Sequence, residues 1–428
     1  MRALLATLSI LLILTAAPVA LGAGGGGAVG QKGGTPTASA AERTLSGSLK
    51  TGMREAGAYS GADVVDLSTG TTLYSHNATT GRLPASVEKL YTTSTALLRY
   101  GPNARLSTSV LGQGQQVGST FTGTLYLRGG GDPSFGSAGF DHANYEAGAT
   151  MQTLVSNLVR ATGIRTLDGR IVADESLFDS DRGTPATGGR PSIEVEGELS
   201  ALAYNRGWAN SDGTVYFEHP ALEAGQQFAA ALKAAGVKVQ GRTATGRTPA
   251  PAQVLATVHS PTIAKLIALT NTPSDNFFAE MLAKGIGAHF GAAGTTAAGA
   301  AVIGAQMAKS FGIHPRMNDG SGLSRYDRTT PTQVVTLLRD MAGNRQFTSS
   351  LAVAGETGTL SDEMRRTYAA GRCRGKTGTL HDVSNVVGYC QARDGHTLAF
   401  AFLMNGVDPD YAHPIQDQMQ VALAKYNG

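Results

Sequence analysis

Ser86-Val87-Glu88-Lys89 decides how this chain is read, and it is the only S-x-x-K in the sequence. It opens a stretch, Ala85 to Tyr100, in which Val87, Leu90, Tyr91, Leu97 and Leu98 share one side of a helix that Gly101-Pro102 ends. At i and i+3 on that helix, Ser86 and Lys89 project from the same face. A serine hydroxyl is a weak nucleophile until a neighbour takes its proton. A lysine does so once burial and nearby cations favour its neutral form. The helix N-terminus also favours negative charge developing at the serine. Taken alone, the tetrapeptide equally fits an N-cap serine followed by a surface lysine. Just upstream, Ala62 to Leu67 and Thr71 to Tyr74 flank Ser68-Thr69-Gly70, the pattern of a β-hairpin.

Two strings downstream supply the missing context. Ser274-Asp275-Asn276 follows Asn271-Thr272-Pro273, on a turn between helices expected at Thr262–Thr270 and Asn276–Phe290. Its serine can relay a proton, and its asparagine amide can bind a substrate carbonyl. A second S-x-N, Ser75-His76-Asn77, precedes the nucleophile and reads as the end of the hairpin. Lys376-Thr377-Gly378-Thr379 lies in an expected strand, Arg372–Leu380, where glycine lets a substrate backbone approach the edge. Its lysine and threonine supply donors for a carboxylate, and the Thr379 N–H can join that of Ser86 as an oxyanion hole. Glu356-Thr357-Gly358-Thr359-Leu360 imitates this string with glutamate in place of lysine, and reads as a loop. Each part is common. The ordered set, S-x-x-K on a helix, S-D-N on a turn and K-T-G on a strand, resembles the signature of active-site serine penicillin-recognising enzymes.

Within that superfamily, the wide interval between Lys89 and Ser274 leaves room for a whole domain. Class A β-lactamases lack such an insert and carry a deacylating glutamate soon after S-D-N, whereas Gly285 to Asn318 contains no Asp or Glu. The chain instead resembles the low-molecular-mass class C penicillin-binding proteins, the D-alanyl-D-alanine carboxypeptidase/endopeptidase family. The resemblance covers roughly residues 46–428 and rests on Leu127-Arg128-Gly129-Gly130-Gly131-Asp132-Pro133, Asp319-Gly320-Ser321-Gly322-Leu323-Ser324-Arg325 and Gly375-Lys376-Thr377-Gly378-Thr379-Leu380. It implies a serine β-lactamase/penicillin-binding-protein-like transpeptidase fold of the α/β (α+β) class. In that fold an antiparallel sheet is flanked by helices and a smaller α+β domain is inserted. It implies Ser86 as acyl-ester nucleophile, Lys89 as proton acceptor, and Ser274 and Asn276 as proton network and substrate grip. Lys376, Thr377 and Thr379 would bind the substrate end. It further implies an acidic residue of the insert that meets a free amino group of the stem peptide, best matched by Asp181 with Asp179 as rival, and a cleft-lining Arg325. Many members nest a third domain after the segment matching Leu202-Ala203-Tyr204-Asn205-Arg206. Here only Gly207 to Gly213 precedes an expected strand, Thr214–Glu218, so that domain is expected to be absent or vestigial.

The rest of the chain organises around these motifs. Met1-Arg2, an apolar run from Ala3 to Ala17 and small residues around Ala20, Gly22 and Ala23 read as a secretory signal peptide over 1–23, cleaved near Gly22-Ala23. A Gly/Ala-rich flexible linker is expected over 24–45, then a catalytic domain over 46–105 plus 251–428, with the insert over 106–250. A net charge of only +3 without a dense Lys/Arg cluster argues against a nucleic-acid partner. Nine histidines in no H-E-x-x-H or Cys/His spacing argue against a zinc hydrolase, and no metal or other cofactor is expected. The two cysteines, Cys373 and Cys390, flank the K-T-G hairpin. If His381-Asp382 form a two-residue turn, antiparallel register sets the cysteines directly opposite each other, at a spacing a disulfide can bridge.

The reading is therefore an exported serine-type D-Ala-D-Ala carboxypeptidase/endopeptidase. Its partners would be peptidoglycan peptides ending in D-Ala-D-Ala, with β-lactams as acylating inhibitors at Ser86. Two rivals stay open at this point: a peptidoglycan-binding or sensor protein that does not turn over, and a β-lactamase or esterase on the same scaffold.

Overall fold

Ser39 starts the first helix by accepting the Glu42 N–H, while the Glu42 carboxylate accepts the Ser39 N–H. The computed structural model describes residues 39–428, so the signal peptide and most of the expected linker lie outside the described residues. The capping box begins α1 (Ala40–Glu55), and residues 40–45 belong to it rather than to a linker reaching 45. The reason is packing: Leu45, Leu49 and Met53 are buried on one face of that helix. Strand β1 (Ser60–Asp66) turns at Gly70 into β2 (Thr72–His76), with Asp66 accepting the Ser68 N–H at 2.8 Å. A short 3-10 turn, Ala85–Glu88, leads into α2 (Lys89–Tyr100).

The chain then builds a second sheet from β3 (Arg105–Val117) and β4 (Thr120–Arg128), followed by α3 (Ala138–Asn144), α4 (Met151–Thr162) and β5 (Thr166–Asp174). Helix α5 (Pro220–Ala234), β6 (Lys238–Val239), β7 (Thr243–Thr245) and β8 (Gln253–Thr262) complete it. Its order is β6-β5-β4-β3-β8 with β7 also paired to β5, so the sheet extends twelve residues past 250. The expected strand at Thr214–Glu218 is a correction: Tyr216 makes only an isolated bridge to Trp208. The segment sits between the polar stretch Asn210–Gly213 and α5, which starts at Pro220, and makes no strand ladder.

Helices α6 (Ile263–Asn271), α7 (Asn276–Phe290), α8 (Thr296–Phe311), α9 (Pro331–Met341) and α10 (Arg345–Ser349) follow. The chain ends in β9 (Ala352–Val353), β10 (Cys373–Leu380), β11 (Val383–Gln391), β12 (Thr397–Asn405) and α11 (Pro409–Lys425). Asp408 as N-cap with Pro409 at the first position starts α11 earlier than the Ile415 its apolar pattern suggests. The first sheet runs β2-β1-β12-β11-β10-β9, antiparallel throughout. Strand β12 explains its construction. Leu398, Phe400, Phe402 and Met404 share one core with α1 and α11, and Ala399, Ala401 and Leu403 share another with α2, α6, α7, α8 and α9. A strand buried on both faces reads as a continuous apolar run. The second sheet has its own core under α4 and α5. Cys373 faces Cys390 in the β10–β11 register, and the two form a disulfide.

Candidate active site

The Ser86 turn is held from three sides. Asn385 on β11 donates to the Leu83 and Pro84 carbonyls at 2.9 and 2.8 Å, and Asn405 on β12 accepts the Leu83 N–H at 2.7 Å. Gly322 packs on the Ala85 carbonyl so closely that a Cβ would stand 1.9 Å from its oxygen. This clamping keeps Ala85 at φ +47°, a left-handed value that alanine adopts at a cost. Glycine at 322 is therefore a steric requirement of this turn.

Lys89 follows directly and is buried. Its Nζ donates to Ser86 Oγ at 2.7 Å, to Asn276 Oδ1 at 2.5 Å and to the Ser321 carbonyl at 3.0 Å. Burial pushes its pKa down to about 8, with the carboxylates of Glu196, Asp319, Glu280 and Asp275 opposing that shift. A neutral amine here could instead accept the Ser86 proton along the same 2.7 Å contact.

Asp275 caps α7 by accepting the Phe278 N–H, and it forms a buried ion pair with Arg206. The Arg206 guanidinium also lies against the rings of Tyr145, Trp208, Phe277 and Phe278. Asn276 is thereby fixed at the helix start, where its backbone N–H reaches Glu196 Oε2 at 2.8 Å. Its side-chain amide donates to the Glu194 carbonyl at 2.6 Å. Ser274 occupies the turn at φ +70°. The three Lys89 hydrogen bonds all go elsewhere, so Ser274 is not joined to that amine directly.

On β10, Lys376 and Gly378 face the Ser86 turn, and Thr377 and Thr379 face the other way. Lys376 is wholly buried and donates to the Thr377 carbonyl at 2.8 Å. Desolvation, and then the charge of Lys89, hold its pKa well below the usual lysine range. Thr377 Oγ1 donates to Thr359 Oγ1 at 2.9 Å. The E-T-G-T-L string, read from sequence as an uninvolved loop, is a 3-10 turn at Gly358–Leu360 that joins two motif segments. Its Thr359 N–H bonds the Thr272 carbonyl at 3.2 Å while its hydroxyl meets Thr377.

Beneath Lys89 lie four buried carboxyl groups, Glu88, Glu280, Asp319 and Asp327. Glu280 accepts the Gly320 and Ser321 N–H groups at 3.0 and 2.8 Å, and Asp319 accepts those of Gly322 and Ser324 at 2.7 Å each. They hold the loop whose Ser321 carbonyl meets Lys89. Burial and their mutual repulsion push Glu280 up to about 8 and Asp327 up to about 9. The hydrogen bond between Asp319 and Asp327 raises Asp327 and lowers Asp319.

Sequence reasoning gave no role to Glu196, Arg206, Asn385 or this cluster: Glu88, Asp319 and Arg206 lie within quoted strings, but the partners that give them a role are brought together only by the fold. Two expected side chains are not gathered into the group. Asp179 is paired with buried Lys284 at 2.5 Å, which leaves Asp181 exposed with its carbonyl bonded to the same lysine at 2.7 Å. Arg325 makes two bonds, at 2.7 and 2.9 Å, to Asp382 on the β10–β11 turn.

The sequence profile of the D-Ala-D-Ala carboxypeptidase 3 (S13) family matches residues 48–188 and 186–426. A D-alanyl-D-alanine carboxypeptidase of Actinomadura sp. (strain R39) is 32% identical, over 87% of this chain and 82% of its own. Carboxypeptidase DacB of Mycolicibacterium smegmatis is 31% identical, over 81% of this chain and 76% of its own. The crystal structure of penicillin binding protein 4 from Haemophilus influenzae superposes with a TM-score of 0.72 at 19% identity, covering 88% of this chain and 99% of that one. At that identity the superposition speaks for the penicillin-binding fold alone.

Proposed function

The chain belongs to the D-Ala-D-Ala carboxypeptidase 3 (S13) family of serine peptidases, and from that membership we propose that it cleaves stem peptides ending in D-Ala-D-Ala through an acyl-enzyme at Ser86. The observation that carries the mechanism is the 2.7 Å contact between Ser86 Oγ and a buried Lys89 whose pKa is pushed down to about 8. Lys89 takes the Ser86 proton as Oγ bonds to the carbonyl carbon of the penultimate residue. The oxyanion meets the backbone N–H groups of Ser86 and Thr379. When the amide C–N bond breaks, the departing nitrogen takes a proton from Lys89, directly or through the Ser274 hydroxyl once substrate bridges the two. Water, deprotonated by the same amine, then hydrolyses the ester.

Asn276 holds the substrate amide with the N–H that Glu194 leaves free, and Thr377 and Thr379 receive the terminal carboxylate. Lys376 stands on the Ser86 side of the strand, where a bound carboxylate would favour its charged form. A β-lactam acylates Ser86 by the same route. With a cross-linked peptide the departing amine belongs to a second stem, which is endopeptidase cleavage. Asp181 and Arg325 line the approach for the stem peptide. The apolar run at residues 3–17 supports export to the cell envelope, where the Cys373–Cys390 pair can oxidise.

The test is D-alanine release from diacyl-Lys-D-Ala-D-Ala and from a native muropeptide by wild type and Ser86→Ala, with mass spectrometry of the penicillin adduct. Release by wild type alone, with the adduct on Ser86, is the expected result. An adduct without release from either substrate would instead favour the binding-protein reading, and rapid penicillin hydrolysis the β-lactamase one.

A further inference from the structure

We propose that the cavity at the far ends of α2 and α7 is a second binding site, which takes an acidic sugar with its ring on an aromatic wall and its acid group on Arg105 and Arg128. The proposal goes beyond the peptidase reading and does not depend on it. The cavity has a volume of about 660 Å³ and lies where the two helices end against β3 and β4. Small-molecule sites span about 300–1,000 Å³, so a ligand of one or two rings fits. Tyr100, which lines the cavity, ends the helix that Lys89 begins. At ~1.5 Å of rise per residue, that sets it roughly 16 Å from the catalytic end of α2. The cavity is therefore separate from the Ser86 site.

One wall is aromatic and already fixed. Tyr100 meets His289 and Phe290 edge-on, with ring centroids 5.7 and 4.7 Å away. Arg99 lies over the Phe290 ring at 5.8 Å, and Phe290 itself stays 36% exposed. Packing of this kind sets the rings before a ligand arrives, so little ordering remains to be done on binding. Burial pushes the His289 pKa down, which leaves a neutral imidazole with one donor and one acceptor.

The opposite wall is cationic and hydroxylated. Arg105 donates to the Ser260 carbonyl at 2.7 Å, which steadies its guanidinium at the rim. The Arg128 side chain has no hydrogen-bond or ion-pair partner among the described residues. Asp174 stands beside it in the β4–β5 register, but that carboxylate accepts the Ser176 and Thr248 N–H groups at 2.9 and 2.7 Å instead. No Asp or Glu is among the described residues that line the cavity. Two guanidinium groups without a carboxylate call for an anion, and their planar forks fit a carboxylate or a phosphate. Between them and the rings lie Ser107, Ser109 and Ser176. Ser107 and Ser109 spend one hydrogen bond each, on His259 and Thr257 at 3.0 and 2.9 Å. A hydroxyl can make more than one, so both keep capacity for the hydroxyls of a ligand. An anion, several hydroxyls and an apolar ring face together describe an acidic sugar.

Isothermal titration of the protein with glucose, glucuronate and glucose 1-phosphate tests this, because the three share one ring and differ in the acid group. We expect at least one of the two acids to bind about 10-fold tighter than glucose or more, the margin of a charge-assisted hydrogen bond. Binding of glucuronate alone assigns the site to a sugar carboxylate, and of glucose 1-phosphate alone to a sugar phosphate. Arg128→Gln and Arg105→Gln should each remove most of the margin. Arg54→Gln, which takes the same charge from α1, should leave it intact. Equal binding of all three sugars, binding of none, or a margin that both folded cavity variants preserve overturns the site. None of these results bears on the peptidase reading, which D-alanine release tests separately.

Discussion

Gly378 lies against the Ser86 turn so closely that a Cβ at that position would stand 3.1 Å from the Ser86 nitrogen and 2.6 Å from the Pro84 carbonyl oxygen. The strand proposed to bind the substrate end and the turn proposed to carry the nucleophile are thus in van der Waals contact through a missing side chain. Gly378→Ala should push β10 from the turn by several tenths of an ångström and misalign the two oxyanion donors. Displacements of that order cost about 10- to 100-fold in rate. Stopped-flow acylation by a chromogenic β-lactam reads the effect directly, and a wild-type rate in the folded variant would refute it.

The pH dependence of acylation should follow Lys89. The proposed mechanism needs its neutral form, so the rate should fall about tenfold per pH unit below a pKa of about 8. Glu196 is the first of the carboxylates that oppose the downward shift. Glu196→Gln keeps an acceptor for the Asn276 N–H but removes the charge, which lowers the Lys89 pKa further. The acidic limb of the profile should therefore move to lower pH, by about one unit for a nearby partly buried charge. A limb that stays in place, or moves to higher pH, would show that Glu196 does not act on the lysine.

What the sequence could and could not say follows from the kind of signal each residue carries. The Leu398–Phe402 run shows its strand because alternation puts large side chains toward α11 and alanines toward the helices. The Cys373–Cys390 pairing is legible because a two-residue turn sets the register of every pair above it. By contrast, Ser39-Ala40-Ala41-Glu42 contains a capping box, yet the Gly/Ala-rich composition around it reads as linker. Thr359 lies in a string that reads as a loop, because glutamate stands where the K-T-G pattern has lysine. Its role depends on a tertiary contact with Thr377 that no local pattern encodes. Arg206 is of the same kind, since nothing near it in the sequence announces Asp275.

That ion pair makes a stability prediction. Arg206 and Asp275 are both largely buried, and the guanidinium also satisfies Tyr145 Oη at 2.6 Å and the Glu196 carbonyl at 3.2 Å. Arg206→Ala would strand a buried carboxylate at the start of α7. Breaking a buried pair from one side costs about 3–5 kcal/mol. Urea unfolding should show that loss, and Asn276, one residue on, should lose its hold on Lys89, so acylation should slow as well. A variant within about 0.5 kcal/mol of wild type would mean that the pair contributes little.

The disulfide should act on stability more than on catalysis. Cys373 and Cys390 are 17 residues apart, and a loop of that size is worth about 3 kcal/mol when closed covalently. Part of that is already supplied by the β10–β11 ladder, so the Cys373→Ala/Cys390→Ala double variant should lose about 2–3 kcal/mol. Lys376 and Gly378 stay in register because the ladder pairs them with Val387 and Asn385 without help from the cysteines. Acylation at 25 °C should therefore remain near the wild-type rate. Denaturant unfolding with and without reductant separates the effects: reduction should bring the wild-type midpoint down to that of the double variant and leave the variant unmoved. A wild-type midpoint indifferent to reductant, or two titratable thiols in the unfolded protein, would show that the pair is not bonded.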